Sequence, residues 1–139
     1  MNAQEARARF SSVPVARLAT VGEDGRPHLV PITFALVDED TLVSAVDHKP
    51  KRTTRLRRLA NIDAHPQVAV LVDHYEADWG RLWWARADGA AVVRPPEAEP
   101  EERAVAVRAL AARYPEYAEQ PPSGPLILIR VERWSGWHA

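Results

Sequence analysis

Val15-Ala16-Arg17-Leu18-Ala19-Thr20-Val21 alternates apolar and mixed residues, Gly22-Glu23-Asp24-Gly25-Arg26-Pro27 interrupts it, and a second apolar-rich run follows over residues 28–36. Alternation with a period of two is the pattern of a half-buried strand. Asp-Gly supplies the positive φ that a tight hairpin turn requires. The stretch therefore reads as a β-hairpin. Pro31 inside the second run has no N–H for a ladder, which places that strand at an edge or marks a bulge there.

The pattern extends in both directions. Residues 3–10 are compatible with a short helix that ends near Ser11-Ser12-Val13-Pro14. After Asp38-Glu39-Asp40 a third strand covers residues 41–46. A helix opens at Thr53 or Thr54, either a suitable N-cap, and Pro66 closes it. Residues 67–73 form a β-branched run and read as a buried strand, and residues 81–93 form a long strand in which Asp88-Gly89 marks a bulge or a second turn. A helix over residues 97–113 presents Ala104, Val107, Leu110, Ala111 and Tyr114 on one face. The Pro-rich loop of residues 115–125 leads to a last strand over residues 126–134. Strict βαβ alternation is missing, so the expected fold is mainly β: about six antiparallel strands around one core, with two to three peripheral helices, in a single domain spanning residues 1–139.

Composition narrows the function classes. The 139 residues suffice for one core, and a hydrophobic content of 46% against 27% charged residues is that of a globular chain. No apolar run could span a bilayer and no signal peptide is visible, so the expected compartment is the cytoplasm. The absence of cysteine removes disulfides, thiolate metal sites and cysteine nucleophiles together. A net charge of −1 offers no global attraction to nucleic acid or to anionic membranes, and neither is expected as a partner. The histidines His28, His48, His65, His74 and His138 lack metal-ligand spacing, and no metal is expected. No dinucleotide, P-loop or nucleophile-elbow motif is present.

One segment stands out. His48-Lys49-Pro50-Lys51-Arg52-Thr53-Thr54-Arg55-Leu56-Arg57-Arg58 carries six Lys/Arg in eleven residues and no acid, where a strand hands over to a helix. Backbone N–H groups at a helix start, cap hydroxyls and nearby cations together make an anion site. Composition alone leaves two readings open, that site or a solvated basic face. The tryptophans are equally two-sided. Trp79, Trp83 and Trp84 fit core or interface packing, and one of an adjacent pair can also line a cleft.

Residues 15–21, then Asp24-Gly25-Arg26-Pro27-His28-Leu29-Val30-Pro31-Ile32-Thr33-Phe34, the basic element 49–58, His65-Pro66-Gln67-Val68-Ala69-Val70-Leu71-Val72-Asp73 and Trp84-Ala85-Arg86-Ala87-Asp88-Gly89-Ala90-Ala91-Val92 follow one another in a familiar order. In that order and spacing the chain resembles the pyridoxamine 5′-phosphate oxidase-like split-barrel superfamily, and within it the F420-dependent branch of actinobacteria. The resemblance implies a homodimeric split β-barrel with two cofactor sites at the dimer interface. It implies that Lys49, Lys51, Arg52 and Thr53 hold the cofactor phosphate, leaving Arg57 and Arg58 as solvated helix face. The tricyclic ring is then expected near Pro31, Ile32, Thr33, Val46 and Asp47, with Trp79 or Trp84 of a partner subunit closing the pocket. The implied activity is hydride transfer between the deazaflavin F420 and a small organic substrate, with no catalytic side chain assigned. An FMN enzyme of the same fold, a non-catalytic flavin or F420 carrier, and a nucleic-acid-binding module are the alternatives. Arg130 and His138 do not reproduce the spacing of the oxidase's C-terminal Arg/His motif, which argues against oxidation of pyridoxamine phosphate itself.

Overall fold

The computed structural model describes residues 1–46 and 52–139, and for residues 52–56 the course of the backbone alone. The hairpin forms as expected. Strands β1 (Ala16–Val21) and β2 (Pro27–Ile32) pair antiparallel, with Ala16 opposite Ile32 and Val21 opposite Pro27. Gly25 adopts φ 84°, and its N–H donates to the Gly22 carbonyl at 2.8 Å, closing the turn. Upstream, α1 (Ala3–Phe10) is started by a capping box: the Asn2 side chain accepts from the Glu5 N–H, and the Glu5 carboxylate accepts from the Asn2 N–H. It buries Ala6 and Phe10, and the Phe10 ring stands edge-on to Phe34 and Trp134.

The remaining strands are β3 (Ala35–Asp38), β4 (Thr41–Ala45), β5 (Gln67–His74), β6 (Trp83–Arg94) and β7 (Leu126–His138). All seven join one antiparallel sheet in the order β2-β1-β5-β6-β7-β4-β3. The helices are α2 (Arg52–Ala64), α3 (Pro100–Arg113) and α4 (Pro115–Glu119) in addition to α1.

The strand order contains the decisive fact about shape. β2 and β3 sit at opposite ends of the sheet, yet only Thr33 and Phe34 separate them in the chain. Laid flat, seven strands would hold the two edges roughly 29 Å apart at about 4.8 Å per neighbour. Three residue steps reach only about 10–11 Å. The sheet must therefore curl until its edges meet at this corner. No β2–β3 ladder closes the seam, so the sheet is a curled, unclosed one and not a complete barrel. This corrects the expected count: residues 28–36 are two strands at opposite edges, making seven strands and not about six. Among the described residues the α-helices number four and not two to three, because Pro115 starts a short helix where a loop was expected.

Burial follows the pleat. Ala16, Leu18 and Thr20 of β1 and Val68, Val70 and Val72 of β5 point into the curl, beside Ile32, Phe34, Leu42, Ile127 and Ile129. A second cluster lies outside β3, β4 and β7, where α3 sets Ala106 and Leu110 on Ala35, Val43, Ala45, Leu126 and Leu128. Covered on both faces, β4 and the start of β7 need a continuous apolar run, which Leu126-Ile127-Leu128-Ile129 supplies. The expected helix face was rotated: Ala106 is buried and Ala104 is exposed. Burying Leu110 contributes about 1.5–3 kcal/mol.

The expected irregularity at Asp88-Gly89 is a register shift between β6 and β7. A Cβ on Gly89 would lie 2.1 Å from the Arg130 carbonyl oxygen and 3.0 Å from the Val131 Cα, both rigid backbone. Gly89→Ala is therefore expected to lower stability by roughly 1–3 kcal/mol in urea unfolding. An unchanged midpoint would show that the two strands can separate there at no cost.

Candidate functional site

The corner that closes the curl also builds a cleft. Its walls come from the end of β2, the end of β4, the second turn of α2 and the short helix α4, and its volume is about 700 Å³. Pro31, Ile32 and Thr33 line one side, Ala45 the floor, and Arg58 and Tyr117 the other sides.

Two tyrosines hold this arrangement in place by different means. The Tyr114 hydroxyl accepts from the Phe34 N–H at 3.0 Å and shares its own proton between the Pro14 carbonyl at 2.7 Å and the Phe34 carbonyl at 3.0 Å. Its hydrogen-bonding capacity is spent on three backbone groups. Arg113, one residue earlier, lies 4.5 Å over the Phe34 ring and donates to the carbonyls of Phe10 and Val13. Tyr117 instead pairs with the Thr33 hydroxyl at 3.0 Å, in a bond where either oxygen can donate. The Ser44 hydroxyl donates to the Thr33 carbonyl at 2.8 Å. Thr33 is thus fixed from both sides while its hydroxyl and that of Tyr117 stay at the cleft surface.

Of the residues expected at a cofactor ring, Pro31, Ile32 and Thr33 come together in this cleft. Val46 is buried in the core, its N–H donating to the Pro125 carbonyl, and the neighbouring Ala45 faces the cleft in its place. Asp47, Lys49 and Lys51 lie outside the described residues. Arg52 and Thr53 open α2, and their side chains lie outside the description as well. Trp79 and Trp84 are elsewhere. Trp79 is 77% exposed on a single 3-10 turn, Trp79–Arg81. Trp84 lies on the outer face of β6, where with Leu71, Tyr75 and Arg86 it lines a separate shallow hollow of about 350 Å³.

Three polar or aromatic residues that shape the cleft were read differently from the sequence. Arg58, read as solvated helix face, is half-buried and lines the cleft. Tyr114 and Tyr117 were read as helix face and loop. The signal available was Tyr114-Pro115-Glu116-Tyr117, where proline ends α3 and re-aims the chain across the corner. Chemically the cleft offers apolar walls for a flat ring and, for its polar edge, the Thr33 and Tyr117 hydroxyls and the Arg58 guanidinium, with Glu116 and Gln120 also at its rim. Among the described residues no group of three His, Asp or Glu side chains is placed to hold a metal ion, and no helix is long and apolar enough to cross a membrane.

Comparison with known proteins agrees with this architecture. The family model described as pyridoxamine 5′-phosphate oxidase matches residues 3–138. A conserved hypothetical protein of Mycobacterium tuberculosis superposes with a TM-score of 0.77 at 22% identity, covering 99% of this chain and 85% of that one. An FAD-binding protein of Mesorhizobium loti gives 0.71 at 22% identity, covering 98% and 94%. The heme storage protein HutZ of Vibrio cholerae gives 0.69 at 17% identity, covering 99% and 95%. At these identities the likeness to solved structures is one of fold.

The two tyrosines should separate in a stability measurement. Tyr114→Phe removes a hydroxyl with three partners and strands the Phe34 N–H, and is expected to cost about 1–3 kcal/mol. Tyr117→Phe removes one bond at a wet surface and should cost less than about 1 kcal/mol. Equal losses in chemical unfolding would contradict the division of roles.

Proposed function

This chain belongs to the pyridoxamine 5′-phosphate oxidase family, and from that premise we propose that it is an oxidoreductase that seats a flavin-type tricyclic cofactor in the cleft beside Thr33. The observation that carries the reading is the meeting of Pro31, Ile32 and Thr33 with Arg58 and Tyr117 in one cleft. The resemblance of the sequence names the deazaflavin F420 as the cofactor, and FMN would use the same walls. A non-catalytic flavin carrier is the second reading, supported by HutZ, a storage protein of the same fold.

The residues present fit such a group. The exposed Pro31 can pack against a ring face, and the Thr33 and Tyr117 hydroxyls and the Arg58 guanidinium can bond to its polar rim. Lys49, Lys51, Arg52 and Thr53 would hold its phosphate, the lysines as mobile charges and the arginine bidentately. The bound cofactor supplies hydride transfer. The chain's part is to bind and orient, and to exclude water from one ring face by means of the apolar wall of β2. The substrate is a small organic molecule entering on the open side.

The assembly we propose is a homodimer. The outer face of β2, β1, β5 and β6 aligns Leu29, Ala19 and Ala69 in one row and Pro31, Arg17, Leu71 and Arg86 in the next. Leu29 is 66% exposed on this face. A second copy covering it would bring its own Trp79 or Trp84 toward the cleft, which neither reaches within one chain.

Fluorescence titration with F420 and with FMN should give saturable binding of one of them. Replacing Lys51 and Arg52 together by Ala is expected to abolish it, and unchanged affinity would sink the phosphate assignment. In sedimentation, Leu29→Glu should convert dimer to monomer; a native chain that already sediments as a monomer rules the dimer out.

A further inference from the structure

Helix α2 separates the cleft from a second depression that the cofactor reading does not use. It lies between the β1–β2 turn and α2, has a volume of about 580 Å³, and is lined by Glu23, Asp24, Arg26, His28, Arg57 and Asn61. Asn61 fixes the helix here: it is buried, and its amide donates to the Thr20 hydroxyl of β1 at 3.0 Å. Arg57 lies one helical turn before Asn61 and therefore on the same side of α2. His28 projects from β2, and its Nδ1 is buried with no hydrogen-bond partner. A buried polar atom without a partner calls for an explanation.

We propose that this hollow is an oxyanion site, in which His28 and Arg57 bind the phosphate or carboxylate group of a ligand. The charges around the imidazole support this. From the turn, Asp24 is engaged by the Arg26 N–H and guanidinium, and Glu23 faces solvent. From α2, Arg57 and Arg58 act on His28 with the same sign. Burial first, then these two guanidiniums, hold the imidazole below its usual protonation range. No acid is among the groups that set it, although Glu23 and Asp24 stand at the rim of the hollow. An oxyanion placed here would pair with Arg57, face the imidazole of His28, and lift the penalty on the imidazolium. Anion uptake then carries proton uptake with it, and binding tightens as the pH falls through the imidazole range.

The linkage has a definite sign. Without an anion the native state holds fewer protons on His28 than the unfolded chain. His28 therefore leaves stability intact above the usual imidazole pKa and lowers it as pH falls below that value.

The shared chemistry has two possible sources. One is a free anion. The other is the charged end of a ligand whose ring lies in the cleft, since the adjacent residues Arg57 and Arg58 face the two sides. The test follows the His28 imidazole signals by NMR through a pH titration, in inorganic phosphate and in chloride at matched ionic strength. Phosphate is expected to raise the His28 midpoint by about one unit, and Arg57→Gln, which should melt with the native chain, is expected to remove that response. Identical midpoints in both salts overturn the site, as does a full response in Arg57→Gln. If this variant melts early, Arg57→Lys serves as the second, expected to keep a reduced response. Stoichiometric FMN or F420 that moves the same midpoint identifies a tethered anion, and a response to phosphate alone identifies a free one. The phosphate arm involves no cofactor, so failure of the cofactor reading leaves its outcome readable.

Discussion

A single hydroxyl group, that of Tyr114, holds the two ends of the sheet together. It meets the N–H and C=O of Phe34 and the carbonyl of Pro14, so the residue that turns the chain from one edge to the other is bonded to the end of α3. Phe34 itself is fully buried, with Phe10 at its edge and Arg113 over its face. Backbone groups at a sharp corner have lost their ladder partners and must find others. Here one side chain supplies them, while the Ser44 hydroxyl ties β4 to the same corner through the Thr33 carbonyl. Fold and site therefore rest on the same few hydrogen bonds, and a ligand bound against Thr33 would brace the seam from the other side.

α2 packs against β1 and β6. Its second turn carries two neighbouring arginines that point in different directions, Arg58 to the cleft and Arg57 to the hollow beside His28. Ile62 anchors the helix in the core and Asn61 pins it to β1. The position of the Arg58 guanidinium is thus decided by residues that do not line the cleft.

Much of this was legible in the sequence where a local rule dominates. The turn at Asp24-Gly25, the helix of residues 3–10, the edge position of Pro31 and the irregularity at Asp88-Gly89 each follow from one residue's backbone chemistry. What the sequence hid is what depends on distant partners. Residues 28–36 look like one strand because the apolar pattern runs on through Thr33-Phe34; only the sheet order reveals that the two halves belong to opposite edges. Residues 135–138 carry no strand signal of their own, and they extend because β6 offers them a ladder, Trp84 opposite Trp137 and Ala85 opposite Gly136. Arg58 looked like its neighbours in a basic run, and its direction was set by how α2 seats against β1 and β6.

The prolines of β2 have one more effect. Pro27 and Pro31 lie opposite Val21 and Arg17, and with Leu29 they share the parity whose N–H groups face away from β1. Both lack that N–H, so across residues 27–31 the free margin of the sheet offers one backbone donor, that of Leu29. A strand from another molecule finds almost no ladder to extend, which guards the chain against fibre-like growth along this margin. Any contact between copies along this margin would have to be made by side chains and not by backbone pairing.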